Sequence, residues 1–265
     1  MEEQPKELSL LSLQRVLRFL LLRELYQRKK KPQMNQKIAQ NLKKVRDQIN
    51  KKKEPNQRVI LVAVTKTRSP EQISTAIGAG IVSIGENRVQ EAELKFPKIT
   101  QINSVEKRLI GQLQSNKIKK AIRLFDTIDS VDSTRLAKKI SNAASTIKKI
   151  QRVLIQINTS EEKTKGGFKS CDIEEMLLCF KHNNIKIDGL MTIGPTKPDH
   201  NKRKRAFNSL KELFTKINRR LPQDKKMTEI SMGMSGDFEL GVESGSTMVR
   251  VGTAIFGKRE TDARP

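Results

Sequence analysis

The chain has 265 residues, enough for one large domain or for one domain with an extension. Its net charge of +24 creates a field that attracts anions but does not select a fold. Two cysteines are too few for a disulfide framework, and no histidine spacing such as HExxH indicates a metal site. We therefore expect a reducing compartment rather than secretion, with the cytoplasm as the first choice and the mitochondrion as the alternative.

A leucine-rich basic segment, residues 1–33, stands apart from the rest of the chain. Charged residues interrupt its apolar run between positions 8 and 25, which makes it too polar for a membrane-spanning helix. Acidic residues near its start argue against a mitochondrial presequence. We predict a loosely attached extension over 1–33, or Met34 as the true start, and one folded domain over 34–265.

The first strand of the folded region ends at a single lysine. The apolar run from Val59 to Val64 is typical of a parallel strand that is buried on both faces. Polar residues follow at once, and Ser69 with Pro70 has the pattern of an N-cap followed by proline at the first helical position. Lys66 therefore lies between a buried strand and a helix, which is where α/β proteins place their chemistry.

Strand-like blocks alternate with helical patterns along the rest of the chain. The predicted strands lie near 59–65, 81–85, 108–113, 126–130, 152–158, 187–193, 227–232 and 248–252. The predicted helices lie at 36–50, 70–79, 86–95, 116–124, 132–150, 171–181, 200–219 and 236–244. Eight such units predict a (β/α)8 TIM barrel. A doubly wound open sheet is the alternative, but no G-x-G-x-x-G motif follows the first strand.

Several polar or small residues follow the predicted strands, and a barrel would bring these positions together at one face. The positions that this placement brings together are Lys66 after strand 1, 85–88 after strand 2, Gln112 with 114–116 after strand 3, Asn158 and Thr159 after strand 5, Met191 and Thr192 at strand 6, the small-residue loop 231–236 after strand 7, and 245–253 around strand 8. The loops after strands 7 and 8 of a barrel commonly hold a phosphate, and hydroxyls with accessible backbone N–H groups suit its oxygens.

A lysine that faces a phosphate site indicates a ligand with both an aldehyde and a phosphate. The amine must be neutral to attack an aldehyde, and cations such as Arg68, Arg88 or Arg250 disfavour the ammonium form. Pyridoxal phosphate fits these requirements. A sugar phosphate bound by a Schiff-base aldolase fits them equally, so the residues alone leave both ligands open.

From about Ile38 to Gly257 the chain resembles the pyridoxal phosphate homeostasis protein family. The motifs that carry the resemblance are VAVTKT (62–67), IGENRVQEA (84–92), LIGQLQSNK (109–117), GLMTI (189–193), ISMGMS (230–235) and GSTMVRVGTAIFG (245–257).

The resemblance implies a fold-type III barrel, like the N-terminal domain of alanine racemase, that binds pyridoxal 5'-phosphate. It implies that Lys66 holds this cofactor as a Schiff base, that Asn87 faces the ring, and that Arg250 meets either the ring nitrogen or the phosphate. The residues implied to hold the phosphate are Ser231, Ser235, Gly252 and Thr253.

Members of the family bind the cofactor without an established turnover and are thought to buffer and deliver it. The resemblance thus implies a role in vitamin B6 homeostasis, with cofactor-dependent apo-enzymes as recipients. An amino-acid racemase is the alternative. Racemases of this barrel type take a second acid/base, a tyrosine, from an added β-domain. This chain has no residues left for that domain, and its one tyrosine is Tyr26 in the extension.

The chain departs from the family pattern at two places. Arg88 stands where an aromatic residue is usual, and the segment Lys107-Arg108-Leu109 stands where Trp-His-Phe is usual. Lost ring stacking would loosen the site, whereas added positive charge would favour the phosphate. We expect these differences to change the affinity for the cofactor rather than its identity.

A nucleic-acid or membrane-surface binder is the third hypothesis, because of the high positive charge. Aromatic residues make up only 4% of the chain, too few for base-stacking platforms, and no basic-aromatic alternation occurs. We therefore expect no specific nucleic acid and no membrane span. We also expect a monomer or weak dimer, because no long apolar face remains once the barrel is built.

Overall fold

The computed structural model describes residues 10–162, 164–197 and 199–258. Eight parallel strands form a closed barrel in sequence order, and the eighth strand pairs with the first. The strands are β1 (Ile60–Val64), β2 (Ser83–Glu86), β3 (Glu106–Leu109), β4 (Thr127–Val131), β5 (Gln151–Ile157), β6 (Ile185–Thr192), β7 (Glu229–Met234) and β8 (Met248–Val251). The predicted (β/α)8 barrel is confirmed.

Helices surround this barrel. They are α1 (Leu10–Lys52), α2 (Pro70–Gly78), α3 (Val89–Lys95), α4 (Ile118–Leu124), α5 (Thr134–Ser145), α6 (Ile173–Cys179), α7 (His200–Arg220), α8 (Phe238–Glu243) and α9 (Thr253–Phe256). Each predicted helix overlaps one of them. The predicted start of helix 86–95 is wrong, because Glu86 ends β2 and Arg88 has an extended backbone as the N-cap of α3.

Strand β3 differs most from its predicted position. The sequence places it at 108–113, but it begins at Glu106 and ends at Leu109. Its first three residues are charged and therefore lack the apolar signal of a strand. Arg108 and Glu106 pair with other charges inside the barrel, as described below, which lets this polar segment form a ladder in the barrel wall.

Helix α1 has 43 residues and continues through Pro32. Its last turns bury Ile38, Leu42, Val45 and Ile49 against the barrel's outer layer, which agrees with the predicted stripe over 36–50. The division into an extension and a domain stays a prediction, since residues 1–9 lie outside the described part of the chain. No helix among the described residues is long and apolar enough to cross a membrane.

Strand alternation separates the outer core from the barrel interior. Along β1, Leu61 and Ala63 belong to the hydrophobic layer under the helices, while Val64 lines a cavity at the barrel mouth. Successive side chains of a strand point to opposite faces. Lys66, two residues beyond Val64, therefore points toward the same mouth.

Charged side chains fill the opposite, amino-terminal half of the barrel interior. Arg108 is fully buried, and its guanidinium lies 3.1 Å from Asp129 of β4, 2.9 Å from Glu229 of β7 and 2.8 Å from Glu106. Arg152 of β5 also pairs with Glu106 and Glu229. Burial favours the neutral guanidine, but the three carboxylates outweigh this effect and raise the pKa of Arg108 above its usual value. This network connects opposite walls of the barrel.

We expect Arg108→Met to lower the free energy of unfolding by about 3–5 kcal/mol, because it leaves buried carboxylates without their counter-charge. Urea unfolding at pH 7 measures the change. The control is Lys120→Met, which removes an exposed ion pair with Glu93 and should cost less than about 1 kcal/mol. Equal losses in the two variants would contradict this prediction.

Candidate functional site

A cavity of about 420 Å³ lies at the carboxyl end of the barrel, where the strand ends meet. It brings together six of the seven predicted site residues. They are Lys66, Asn87, Ser235, Arg250, Gly252 and Thr253.

Lys66 reaches this cavity from the turn between β1 and α2. Its side chain is half-buried. The turn ends where predicted: Ser69 caps α2, its hydroxyl accepts a hydrogen bond from the backbone N–H of Gln72, and the Gln72 side chain accepts one from the N–H of Ser69. This reciprocal capping box fixes the start of the helix and so limits the turn to a few residues after Val64.

The loops after β7 and β8 form one side of the cavity. The Ser235 hydroxyl accepts hydrogen bonds from the backbone N–H of Gly252 at 3.0 Å and of Ala254 at 3.4 Å, which ties the two loops together. Its own O–H proton is donated to no other residue in the described part of the chain, so it can be donated to a ligand. A methyl group on Gly236 would meet no atom within 4 Å, so this backbone faces open space. Hydroxyl and backbone N–H donors in such a concave loop suit a phosphate.

Arg250 contributes a fixed positive charge to the cavity wall. It is 4% exposed, donates one hydrogen bond to the Ser231 hydroxyl at 2.6 Å and donates another to the Thr192 carbonyl at 2.7 Å. Burial lowers the pKa of Arg250 to about 10, so the guanidinium is still protonated at neutral pH. These two hydrogen bonds hold its orientation.

Ser231 is the one predicted site residue that does not line the cavity. It lies within β7, fully buried, and its hydroxyl accepts the hydrogen bond from Arg250. The structure therefore places Ser231 behind the guanidinium as a support for it. A direct contact of Ser231 with a phosphate stays a prediction.

Neither position that departs from the family pattern lines this cavity. Arg88 is exposed at the start of α3, and Arg108 belongs to the charge network in the amino-terminal half of the barrel interior. The expected change in affinity through these residues stays a prediction.

Sequence reasoning missed three lining residues because they are apolar: Val64, Ile110 and Ile193. Met234 and Gly236 also line the cavity and belong to the small-residue loop expected after strand 7, whereas Arg68 was considered only as a charge near Lys66. Alternation could have found Val64, which shares the interior face with Lys66. Ile110 and Ile193 each directly follow the last residue of a strand, so exact strand ends would have revealed both.

The comparisons with known proteins agree with this geometry. The family model described as alanine racemase, N-terminal domain, matches residues 35–260. A pyridoxal phosphate homeostasis protein from Synechocystis sp. (strain ATCC 27184 / PCC 6803 / Kazusa) is 38% identical over 205 residues, which cover 76% of this chain and 92% of that protein. The chain belongs to the pyridoxal phosphate homeostasis protein family. The resemblance noted in the motifs is thus confirmed.

Solved structures extend the comparison to three dimensions. The structure of PipY from Synechococcus elongatus PCC7942, described as having PLP bound, is 33% identical, with a TM-score of 0.74; the match covers 83% of this chain and all of PipY. An alanine racemase from Clostridium difficile 630 is 16% identical with a TM-score of 0.67, and the match covers 86% of this chain and 58% of the racemase. The racemase shows only that this family shares its barrel fold.

Gly111 is needed where the segment after β3 approaches the backbone of Asn87. A methyl group at Gly111 would lie 2.3 Å from the backbone oxygen of Asn87. We expect Gly111→Ala to displace that segment and to lower the free energy of unfolding by about 1–3 kcal/mol in urea titrations. Gly78→Ala is the matched control, since nothing lies within 4 Å of the added methyl group. If Gly111→Ala leaves the free energy of unfolding unchanged, the two backbone segments separate easily and the prediction is wrong.

Glu162 joins the loops after β5 and β6. The backbone N–H and the hydroxyl of Thr196 donate to it at 3.0 and 2.8 Å, and with Lys165 they lower the pKa of Glu162 to about 2. A carboxyl group whose pKa is lower in the folded state than in the unfolded state stabilises the fold at any pH above its unfolded-state pKa. This stabilisation is lost as the pH falls through the folded-state pKa.

We therefore expect Glu162→Gln to be less stable than the natural protein at pH 7. The difference in urea midpoint should shrink as the pH falls from about 4.5 toward 2. A difference that is independent of pH would mean that the charge of Glu162 does not act in this contact.

Proposed function

We propose that this protein binds pyridoxal 5'-phosphate through Lys66 and holds it for delivery within vitamin B6 homeostasis. One observation carries the proposal: a lysine and a cradle of hydroxyl and backbone donors line the same cavity of about 420 Å³. Relatives named for this homeostasis role and a PipY structure described with PLP bound support it.

The residues present fit this cofactor, which supplies when bound an aldehyde carbon, a phosphate and a ring nitrogen. The Lys66 amine nitrogen would bond the aldehyde carbon, and the aldehyde oxygen would leave as water. Arg68 and Arg250 line the same cavity. The amine must be neutral when it attacks the aldehyde carbon.

The wall formed by the loops after β7 and β8 would take the phosphate. The Ser235 hydroxyl can donate its proton, and the backbone at Gly236 and Thr253 lies along the same wall. Gly252 also lines this wall, and its N–H already donates to Ser235, which holds the hydroxyl in place. Gly236 leaves open space where any larger residue would project a side chain. The guanidinium of Arg250, held by Ser231 and Thr192, supplies positive charge either to the phosphate or to the ring.

The composition of the cavity supports holding rather than turnover. Proton transfer on both faces of a bound amino acid needs a second acid/base opposite the lysine. The described residues that line the cavity include no carboxylate, histidine, cysteine or tyrosine. These lining residues therefore offer no second acid/base of the kind that a racemase uses, and we propose that racemase-type activity is absent or residual.

The remaining parts of the proposal concern where and with what the protein acts. We propose cofactor-dependent apo-enzymes as recipients, a cytoplasmic location, and a monomer or weak dimer. Sedimentation analysis tests the last point, and a stable tetramer would contradict it.

Borohydride trapping tests the site directly. We expect added pyridoxal phosphate to give an absorption band near that of a protonated imine, and we expect the reduced adduct to map to the Lys66 peptide. Lys66→Ala should lose this adduct and bind at least about tenfold more weakly, equivalent to about 1.4 kcal/mol. Lys120→Ala, a surface lysine, is the control and should behave as the natural protein.

Two results would overturn the proposal. An adduct scattered over surface lysines would mean that the cavity does not select the cofactor. Rapid racemisation of an amino acid by the loaded protein, lost in Lys66→Ala, would replace the carrier with the racemase alternative.

A further inference from the structure

The turn that carries Lys66 contains a strained residue. Thr67 has a φ angle of +62°, in the left-handed region that β-branched residues rarely adopt. Such a conformation persists only where surrounding contacts determine it, and it is commonly found at functional sites. The contacts that hold Thr67 therefore also determine where the neighbouring Lys66 side chain points.

Two side chains of α3 hold the backbone on either side of Lys66. The Lys95 ammonium donates a hydrogen bond to the carbonyl of Thr65 at 2.8 Å. The Glu91 carboxylate accepts a hydrogen bond from the backbone N–H of Thr67 at 2.5 Å. Side chains of one helix thus form hydrogen bonds with the peptide group before Lys66 and with the peptide group after it.

Ion pairs fix these two side chains relative to each other and to the barrel. Lys95 is 9% exposed and lies 2.9 Å from Glu91 and 2.6 Å from Glu86, which is fully buried at the end of β2. The Glu86 carboxylate also accepts a hydrogen bond from the Thr65 hydroxyl at 2.7 Å. We call Glu86, Glu91 and Lys95 the α3 clamp.

Stability alone is a weak reason for such a cluster. Buried ion pairs contribute little net stability, because removing the charges from water offsets most of their attraction. None of the three residues lines the cavity, yet their hydrogen bonds converge on Thr65 and Thr67. These hydrogen bonds fix the backbone on both sides of Lys66 and so orient its side chain.

We propose that the α3 clamp is a positioning device that holds the strained turn and thereby aims the Lys66 amine into the cavity. The inference rests on the proposed role of Lys66 as the residue that bonds the cofactor. The residues of the α3 clamp act through the backbone, so they change how well the Lys66 amine is placed without touching the ligand.

Three Glu variants on the same helix form a matched set. Glu91→Ala removes the acceptor for the Thr67 N–H, and Glu91→Gln keeps an acceptor oxygen at that position. Glu93→Ala is the control, because Glu93 is an exposed neighbour that pairs only with Lys120 among the described residues. Lys95→Met removes the other contact and tests the clamp independently, provided that circular dichroism shows it folded.

Two readouts are needed. The first is the acylation rate of Lys66 by acetic anhydride relative to surface lysines, measured on the full-length protein without cofactor by peptide mass spectrometry. The second is the pyridoxal phosphate concentration that gives half-maximal borohydride-trapped adduct on Lys66. A loss of stability in a protein that stays folded would not change the first ratio.

We expect Glu91→Ala to change the relative acylation rate of Lys66 at least about threefold and to raise the half-maximal concentration about tenfold, as a misplaced reacting group does. Glu91→Gln should bring both the acylation rate of Lys66 and the half-maximal concentration most of the way back to the values of the natural protein. Glu93→Ala should match the natural protein in both. If Glu91→Ala, folded, matches Glu93→Ala in both readouts, the positioning role is wrong.

The outcomes also separate this inference from the proposed function. An adduct on Lys66 in the natural protein with no effect of Glu91→Ala would overturn the clamp and support the function. No adduct on Lys66 in the natural protein, with a changed acylation rate in Glu91→Ala, would overturn the function and support the clamp.

Discussion

Pairing between the first and last strands is the constraint on which the site depends. In the β1–β8 ladder, Val62 lies opposite Arg250 and Ala63 opposite Val251. This register brings Gly252 beside Val64, where a methyl group at Gly252 would lie 3.3 Å from the Val64 side chain and carbonyl. Closure of the barrel therefore places the end of β1, and with it the lysine, against the two loops that have phosphate-binding character, although more than 160 residues separate them.

The barrel interior is divided between two kinds of electrostatics. Its amino-terminal half holds a network in which carboxylates and arginines compensate each other, and its carboxyl half holds the cavity with cations on its wall. Asp129 connects the two halves. It pairs with Arg108, and its charge also partly offsets the effect of burial on the pKa of Arg250. The network thus supports a positive charge near the cavity that burial alone would disfavour.

How much could be predicted from the sequence depended on whether the signal was local. The β1 strand, the capping box at Ser69 and the small-residue loops are local patterns, and they pointed to Lys66 and to the loops that contain Ser235, Gly252 and Thr253. Asn87 and Arg250 were assigned to the site through the family motifs. Ser231 was harder, because its role depends on its facing inward within β7 toward Arg250. The β3 boundary and the α3 clamp could not be predicted, since charged residues such as Arg108 and Lys95 are stable in these buried places only through partners distant in sequence.

The inward-facing acidic residues also affect how the molecule meets its ligand. Glu106, Asp129 and Glu229 pair inside the barrel with two arginines, Arg108 and Arg152, so they do little to reduce the field outside. A protein with net charge +24 then presents an exterior at least as positive as its composition suggests. Long-range attraction of this kind accelerates encounter with a doubly charged phosphate ester and weakens as salt screens it. Capture of the ligand would therefore depend on ionic strength more than its residence time, because contacts inside the cavity are screened less than the field outside.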